Sequence, residues 1–210
     1  MKIAKIFLLS ILMTVLLSAS ELILISKNIY LNNMGNSVQL TFKGNASYPM
    51  LSPDAKSIVY IRTFLHNGYE YKEEDSIPTE IVLMDLESKQ EKVILKEQPS
   101  TDPYKTLKDF SEPLFSSDGQ IVYFLSSAWV TSNAVYALDL KTLKTKFIID
   151  GNDLAIIKNG DYKNHIIIDR HQYFVDGGSY DSSWLVSPNG KVIGQVRDRN
   201  SYERYQHVNE

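Results

Sequence analysis

The chain of 210 residues contains no cysteine. That excludes disulfides, thiolate metal sites and thiol nucleophiles. It also excludes a bacterial lipid anchor, which needs a Cys at the cleavage site. Histidine is scarce, with four residues, so chemistry that relies on several imidazoles has few places to be. Neither sign of charge dominates: 22 Lys and Arg stand against 25 Asp and Glu. A mildly acidic chain has no general attraction for nucleic acid, which requires clustered cations. The nearest cluster, Arg197, Arg199 and Arg204, is interrupted by Asp198 and Glu203 and reads as a solvated tail. Beyond the first twenty residues no segment holds a helical period over a useful length.

What is present is ordinary globular material. Hydrophobic residues make up 43% and charged residues 22%, which argues against disorder. The 13 tyrosines suit pleated, half-buried strands. The first twenty residues stand apart. Lys2 and Lys5 precede an apolar run from Ile6 to Leu17, and Ser18, Ala19 and Ser20 follow with Glu21 just beyond. This pattern predicts a secretory signal peptide over 1–20, cleaved to leave a domain over 21–210 with no membrane span. The apolar run is short for a bilayer, which takes about 20 residues. An uncleaved anchor is the alternative. The expected compartment is the periplasm or the exterior.

One unit repeats. Tyr48-Pro49-Met50-Leu51-Ser52-Pro53-Asp54-Ala55-Lys56-Ser57-Ile58-Val59-Tyr60-Ile61 returns as Glu112-Pro113-Leu114-Phe115-Ser116-Ser117-Asp118-Gly119-Gln120-Ile121-Val122-Tyr123-Phe124-Leu125. Each copy reads as a short strand, a tight turn and a longer strand. Asp54 and Asp118 can bond the backbone two residues on, and Gly119 accepts positive φ, so these three are expected to shape the turns. A second hairpin alternates with the first: Asn28–Thr41, Glu80–Leu95, Ala134–Ile149 and Ser183–Gly194 each read as strand, polar turn and returning strand. Between 160 and 174 the inner hairpin has lost its signature, with strands expected at His165–Ile168 and Gln172–Val175 around a turn at Asp169-Arg170. The fold class is therefore all-β, built from alternating antiparallel hairpins.

At these residues the sequence resembles the β-propeller repeat of the TolB type, also found in the propeller domains of prolyl oligopeptidases. Leu40-Thr41, Pro49, Ser52-Pro53-Asp54 and Lys56 match that pattern, with Ala55 replacing its glycine. Pro113, Ser116, Asp118 and Gly119 match it again, and Asp85 and Asp139 match its later aspartate. The resemblance implies a partial or small propeller. At roughly 40–50 residues a blade, the chain holds about three blades and a half. Such an arc can close into a small distorted ring, pair with a second copy, or stay open with its edges covered. Leu22–Ile25 and Val192–Val196 are the strands expected to pair across the closure.

Candidate sites are few. His165, Asp169 and His171 form the one His/Asp cluster, a pattern open to zinc or general-base chemistry, although isolated surface histidines are commoner and no fourth ligand is evident. Gly177-Gly178-Ser179-Tyr180-Asp181 reads as a tight turn, with Tyr180 packed back on the core. The connection from Phe64 to Thr79 is the largest departure from the repeat and carries Tyr69 and Tyr71. The corresponding connection of the next unit, Ser127 to Asn133, carries Trp129. Long loops on a rigid scaffold are where binding concentrates, so Tyr69, Tyr71 and Trp129 are the expected binding residues. No cofactor or metal is implied. The expected function is an exported module that binds another envelope protein, with a homodimer completing the ring as one form of partner. The alternative is an envelope hydrolase or lyase of glycans or peptides with its site in the loops.

Overall fold

Four-residue apolar runs such as Ile58-Val59-Tyr60-Ile61 and Val122-Tyr123-Phe124-Leu125 are too short for buried helices. They are too uniform for strands with a wet face, because alternate residues of a strand point to opposite sides. They fit strands buried on both faces, and the computed structural model shows why. It describes residues 20–64 and 76–196. Among these there are fourteen strands and no helix.

The strands form successive antiparallel meanders. The first holds β1 (Glu21–Ile25), β2 (Asn28–Asn33) and β3 (Asn36–Gln39). The second holds β4 (Ala46–Leu51), β5 (Ser57–Thr63), β6 (Thr79–Asp85) and β7 (Glu91–Lys96). The third runs through β8 (Ser111–Phe115), β9 (Ile121–Ser127), β10 (Asn133–Asp139) and the first part of β11 (Thr145–Ile156). The fourth begins on the second part of β11 and continues through β12 (Ile166–Tyr173), β13 (Ser179–Val186) and β14 (Val192–Val196). We refer to these sheets as blades I to IV.

The blades pack face to face. Ile58 and Tyr60 of β5 join Ile29 and Leu40 in the core between blades I and II. Val59 and Ile61, on the other side of the same strand, join Val122, Phe124 and Tyr136 between blades II and III. Tyr123 and Leu125 then meet Ile166, Ile168 and Val186 between blades III and IV. A set of paired polar groups borders these interfaces. Arg62 reaches Glu80 at 2.7 Å and Glu91 at 2.5 Å, and the Tyr60 hydroxyl donates to Glu91 at 2.7 Å. Burial, with Glu91 beside it, pushes the Tyr60 phenol well above its ordinary range.

Three expectations are corrected. Asp169-Arg170 is not a turn: β12 runs unbroken through it. Asp169 and Arg170 stay in register with Ser183 and Ser182, and the Arg170 guanidinium is held by Asp150 at 2.8 Å. The inner hairpin of blade IV accordingly takes its first strand from β11, which pairs β10 as far as Gly151 and β12 from Asn152. Nor do the ends of the arc pair across a closure. Among the described residues β1 pairs β2 and β14 pairs β13, because each end is used within its own meander. The third correction, at Tyr180, concerns the surface and is given below.

Two backbone positions show what positive φ demands of the side chain. Ala55 sits at φ 56° where the equivalent position in blade III is Gly119 at φ 71°. A Cβ costs roughly 1–2 kcal/mol in that conformation, so Ala55→Gly is expected to stabilise the chain by about 1 kcal/mol in urea unfolding. At Gly151, where β11 passes between blades, φ is 153° and a Cβ would lie 2.4 Å from Ile168 Cγ1 and 2.8 Å from the Asp169 carbonyl oxygen. Gly151→Ala is expected to cost about 2–3 kcal/mol by the same measurement.

Candidate functional site

An antiparallel meander puts its first and third turns at one end and its second at the other. The arc therefore has two faces of different chemistry, a turn face and a loop face.

On the turn face the connections are short and locked by side chains. Ser52 Oγ donates to Asp54 Oδ1 at 2.7 Å, and the amides of Lys56 and Ser57 close on Asp54 and Ser52. Ser116, Asp118, Gln120 and Ile121 repeat the arrangement in blade III. It occurs a third time between β13 and β14, where Ser187 donates to Asn189 and the Lys191 amide closes the turn. The hydrogen bonds from the neighbouring Ser hydroxyl and backbone amide hold the Asp54 and Asp118 carboxyls below their ordinary 3.8. Asp85 and Asp139 do the same work in the outer hairpins, accepting from Ser88 and Thr142.

The inner strands β4, β8 and the second part of β11 splay toward this face and leave a funnel of about 690 Å³ between them. Its lining mixes apolar side chains, Met50, Leu51, Leu114, Phe115, Leu154 and Ile156, with the hydroxyls of Ser116 and Ser117. Its mouth carries Lys158, Asn159 and Lys163. These belong to the turn of blade IV that replaces the Ser-Pro-Asp-Gly sequence. That turn is clamped to its neighbour: the Ser117 amide donates to Asn164 Oδ1 at 2.7 Å, and the Ser117 hydroxyl to the Lys158 carbonyl at 3.3 Å. Deeper along the arc Glu112 accepts from the Leu154 amide at 3.0 Å, tying the inner strands of blades III and IV together.

The loop face is aromatic. Trp129 is half-buried, its ring edge-on to Tyr104 at 5.4 Å and close to Phe147 at 6.5 Å. It is thus anchored to the core between blades II and III, while its neighbour Val130 is fully exposed. Tyr69 and Tyr71 lie outside the described residues. Beside the Trp129 loop stands the β12–β13 hairpin, whose tip holds exposed Tyr173, Phe174 and Val175. Thr131 and the Tyr173 hydroxyl approach to 3.3 Å and link the two connections. The turn at Gly177-Gly178 forms with φ of 92° and 89°. Tyr180, however, does not pack back on the core. It is 39% exposed and stacks on Phe174 at 4.6 Å, because position 180 lies at the free tip of the hairpin with no neighbouring blade above it. Sequence reasoning missed Tyr173, Phe174 and Val175. The signal available was an apolar triplet set directly against a Gly-Gly turn.

His165, just ahead of β12, and Asp169 and His171 on it are strung out along the chain and are not gathered. A strand advances about 3.3 Å per residue, so six positions separate the two histidines by roughly 20 Å. Each has its own setting. His165 packs edge-on to Tyr162 and its Nδ1 is buried without a hydrogen-bond partner. Asp169 accepts from Ser183 Oγ, and His171 Nδ1 lies 2.8 Å from Asp181 Oδ1. Among the described residues no three His, Asp or Glu side chains come together as a metal site would require.

Antiparallel blades stacked around a central funnel define a β-propeller architecture. Comparison with solved structures finds the same fold in β-propellers, TolB structures among them. TolB from Acinetobacter baumannii aligns with a TM-score of 0.50 at 22% identity over 82% of this chain and 44% of its own. A TolB assignment from Agrobacterium tumefaciens aligns at 0.54 and 16% identity, over 80% of this chain and 57% of that one. The propeller domain of the Trilobed protease from Pyrococcus furiosus, which has an open velcro topology, aligns at 0.55 and 17% identity, over 81% and 49%. The chain thus spans about half the length of these structures. No family model matches the sequence, and no curated protein does. No helix among the described residues is long and apolar enough to cross a membrane.

The locked turns have a pH signature. A carboxyl whose folded pKa lies below its unfolded value stabilises the fold above the unfolded value, and loses that contribution as pH falls through the folded one. Stability should therefore decline from about pH 4 downward. Asn189 shows that an amide fits the same turn. Asp54→Asn with Asp118→Asn is expected to keep most of the neutral-pH stability and flatten the acid decline in urea titrations between about pH 5 and 2. The decline should not vanish, because Asp85 and Asp139 remain.

Proposed function

We propose that the chain is an exported β-propeller-type module of the cell envelope that binds a protein partner on its loop face. The observation that carries this reading is the rim shared by blades III and IV. Val130 and Val175 are 103% and 102% exposed, and Tyr173 and Phe174 are 67% and 56% exposed. Apolar and aromatic surface grouped in this way costs solubility and is characteristic of interaction sites. The side chains are also preorganised. Tyr173 stacks edge-on to His171 at 4.9 Å, Tyr180 backs Phe174, and Trp129 is anchored from below. Rigid aromatic anchors lose little entropy on binding and supply most of the energy at such interfaces. Tyr69 and Tyr71 enter the proposal as members of the corresponding connection of blade II. Export rests on the N-terminal pattern of Lys2, Lys5 and the apolar run to Leu17.

A second reading, an envelope hydrolase or lyase of glycans or peptides, is favoured by one observation. Asp181 orients the His171 ring as a carboxylate does beside a general base. Turnover of a glycan or peptide pool that disappears in His171→Gln would establish it.

The binding reading is tested by placing a photo-crosslinking amino acid at Val175 and, as a control, at exposed Gln120 on the turn face. Crosslinking in cells is expected at 175 and not at 120, and the mass of the product distinguishes another envelope protein from a second copy of this chain. Phe174→Ser with Tyr173→Ser should weaken capture of the same partner at least about tenfold, as loss of an interface anchor does. Equal crosslinking from both faces would reject the rim.

A further inference from the structure

We propose that the funnel on the turn face binds a small amphipathic carboxylate, an apolar chain of medium length ending in one acid group. The site is separate from the aromatic rim and does not depend on the reading given to it. Its volume of about 690 Å³ falls within the range of roughly 300–1,000 Å³ usual for small-molecule sites.

The charge distribution selects the ligand. The sequence has more acidic than basic residues, 25 against 22, yet the funnel is lined by no Asp or Glu and by two lysines, Lys158 and Lys163. Both stand at the mouth, on one turn. Below them the walls offer Leu51, Leu114, Leu154 and Ile156. A ligand that satisfies both levels needs an anionic head near the lysines and an apolar body beneath. The backbone that carries the lysines is held in place. Their turn is clamped to blade III by the two hydrogen bonds from Ser117 to Asn164 and to the Lys158 carbonyl, so both side chains leave from a fixed turn. Asp118 lies near enough for Lys163 to contribute to its low pKa, and its Oδ1 accepts from Ser116 and the Gln120 amide. Among the described residues neither Lys158 nor Lys163 forms a salt bridge, which leaves both ammonium groups able to take a ligand anion.

The test is calorimetric titration of the full chain with dodecanoate below its micelle-forming concentration. Saturable one-to-one binding is expected. Decanoate should bind about tenfold more weakly, as removal of two buried methylenes requires. Dodecyltrimethylammonium, with the same chain and the opposite charge, should bind at least about tenfold more weakly still, through loss of the ion pair. Lys158→Gln with Lys163→Gln should lower dodecanoate affinity by at least about tenfold and leave the thermal midpoint unchanged. Both side chains are exposed, and the Lys158 clamp uses only its carbonyl. The proposal is overturned if dodecanoate does not saturate, if both head groups bind alike in the wild type, or if the double variant binds dodecanoate normally. It is also overturned if a short apolar peptide with a free C-terminal carboxylate binds more tightly than dodecanoate, which would assign the funnel to a chain end.

Discussion

The inner sheets of this chain are apolar on both faces, and such a sheet cannot stand in water on its own. The second strand of each complete blade shows the constraint most directly. In β5 and β9 successive residues belong alternately to two different cores, so a single strand serves two interfaces at once. Blades must stack for any of them to be buried, and stacking twisted sheets side by side produces an arc. With no cysteine to cross-link it, the arc depends on that burial and on polar groups admitted in satisfied sets, as with Tyr60, Arg62, Glu80 and Glu91.

The two faces of the arc differ because a meander turns differently at its two ends. On one side the turns are short and held by Ser–Asp or Ser–Asn pairs, which leaves a funnel between the inner strands and gives blade IV room for a lysine-bearing turn. On the other side exposed aromatic and apolar residues gather at the connections 128–132 and 174–178. The proposed small-molecule site and the proposed protein-binding rim therefore share no residue on the scaffold.

Much of the fold was legible because turn chemistry is local. Asp54, Asp118 and Gly119 announce tight turns by residue type, and the apolar runs beside them announce strands. The TolB-like pattern is carried by the same residues, and the structural comparisons bear it out as a fold. Blade IV was harder to read. Its Ser-Pro-Asn-Gly turn had moved to the outer hairpin, and Asp169-Arg170 looked like a turn because both residues are charged. Arg170 is accommodated in a strand only because Asp150 lies on the neighbouring one. The surface was harder still. Tyr180 and Trp129 are both aromatic residues in loops, yet one stacks at a free tip and the other is anchored to a core. Nothing within a few residues of either distinguishes them.

By itself the sequence determined the all-β class, most strands and the tight turns at Asp54 and Asp118, since each of these follows from alternation and turn chemistry among near neighbours. Only the tertiary structure decided that β11 serves two blades, and that β1 and β14 do not pair. It alone brought the β12–β13 tip beside the Trp129 loop, and set two lysines above apolar residues from three inner strands. These features join residues tens of positions apart through the stacking of blades, and the sequence pattern of any one blade carries no record of what its neighbour presents to it.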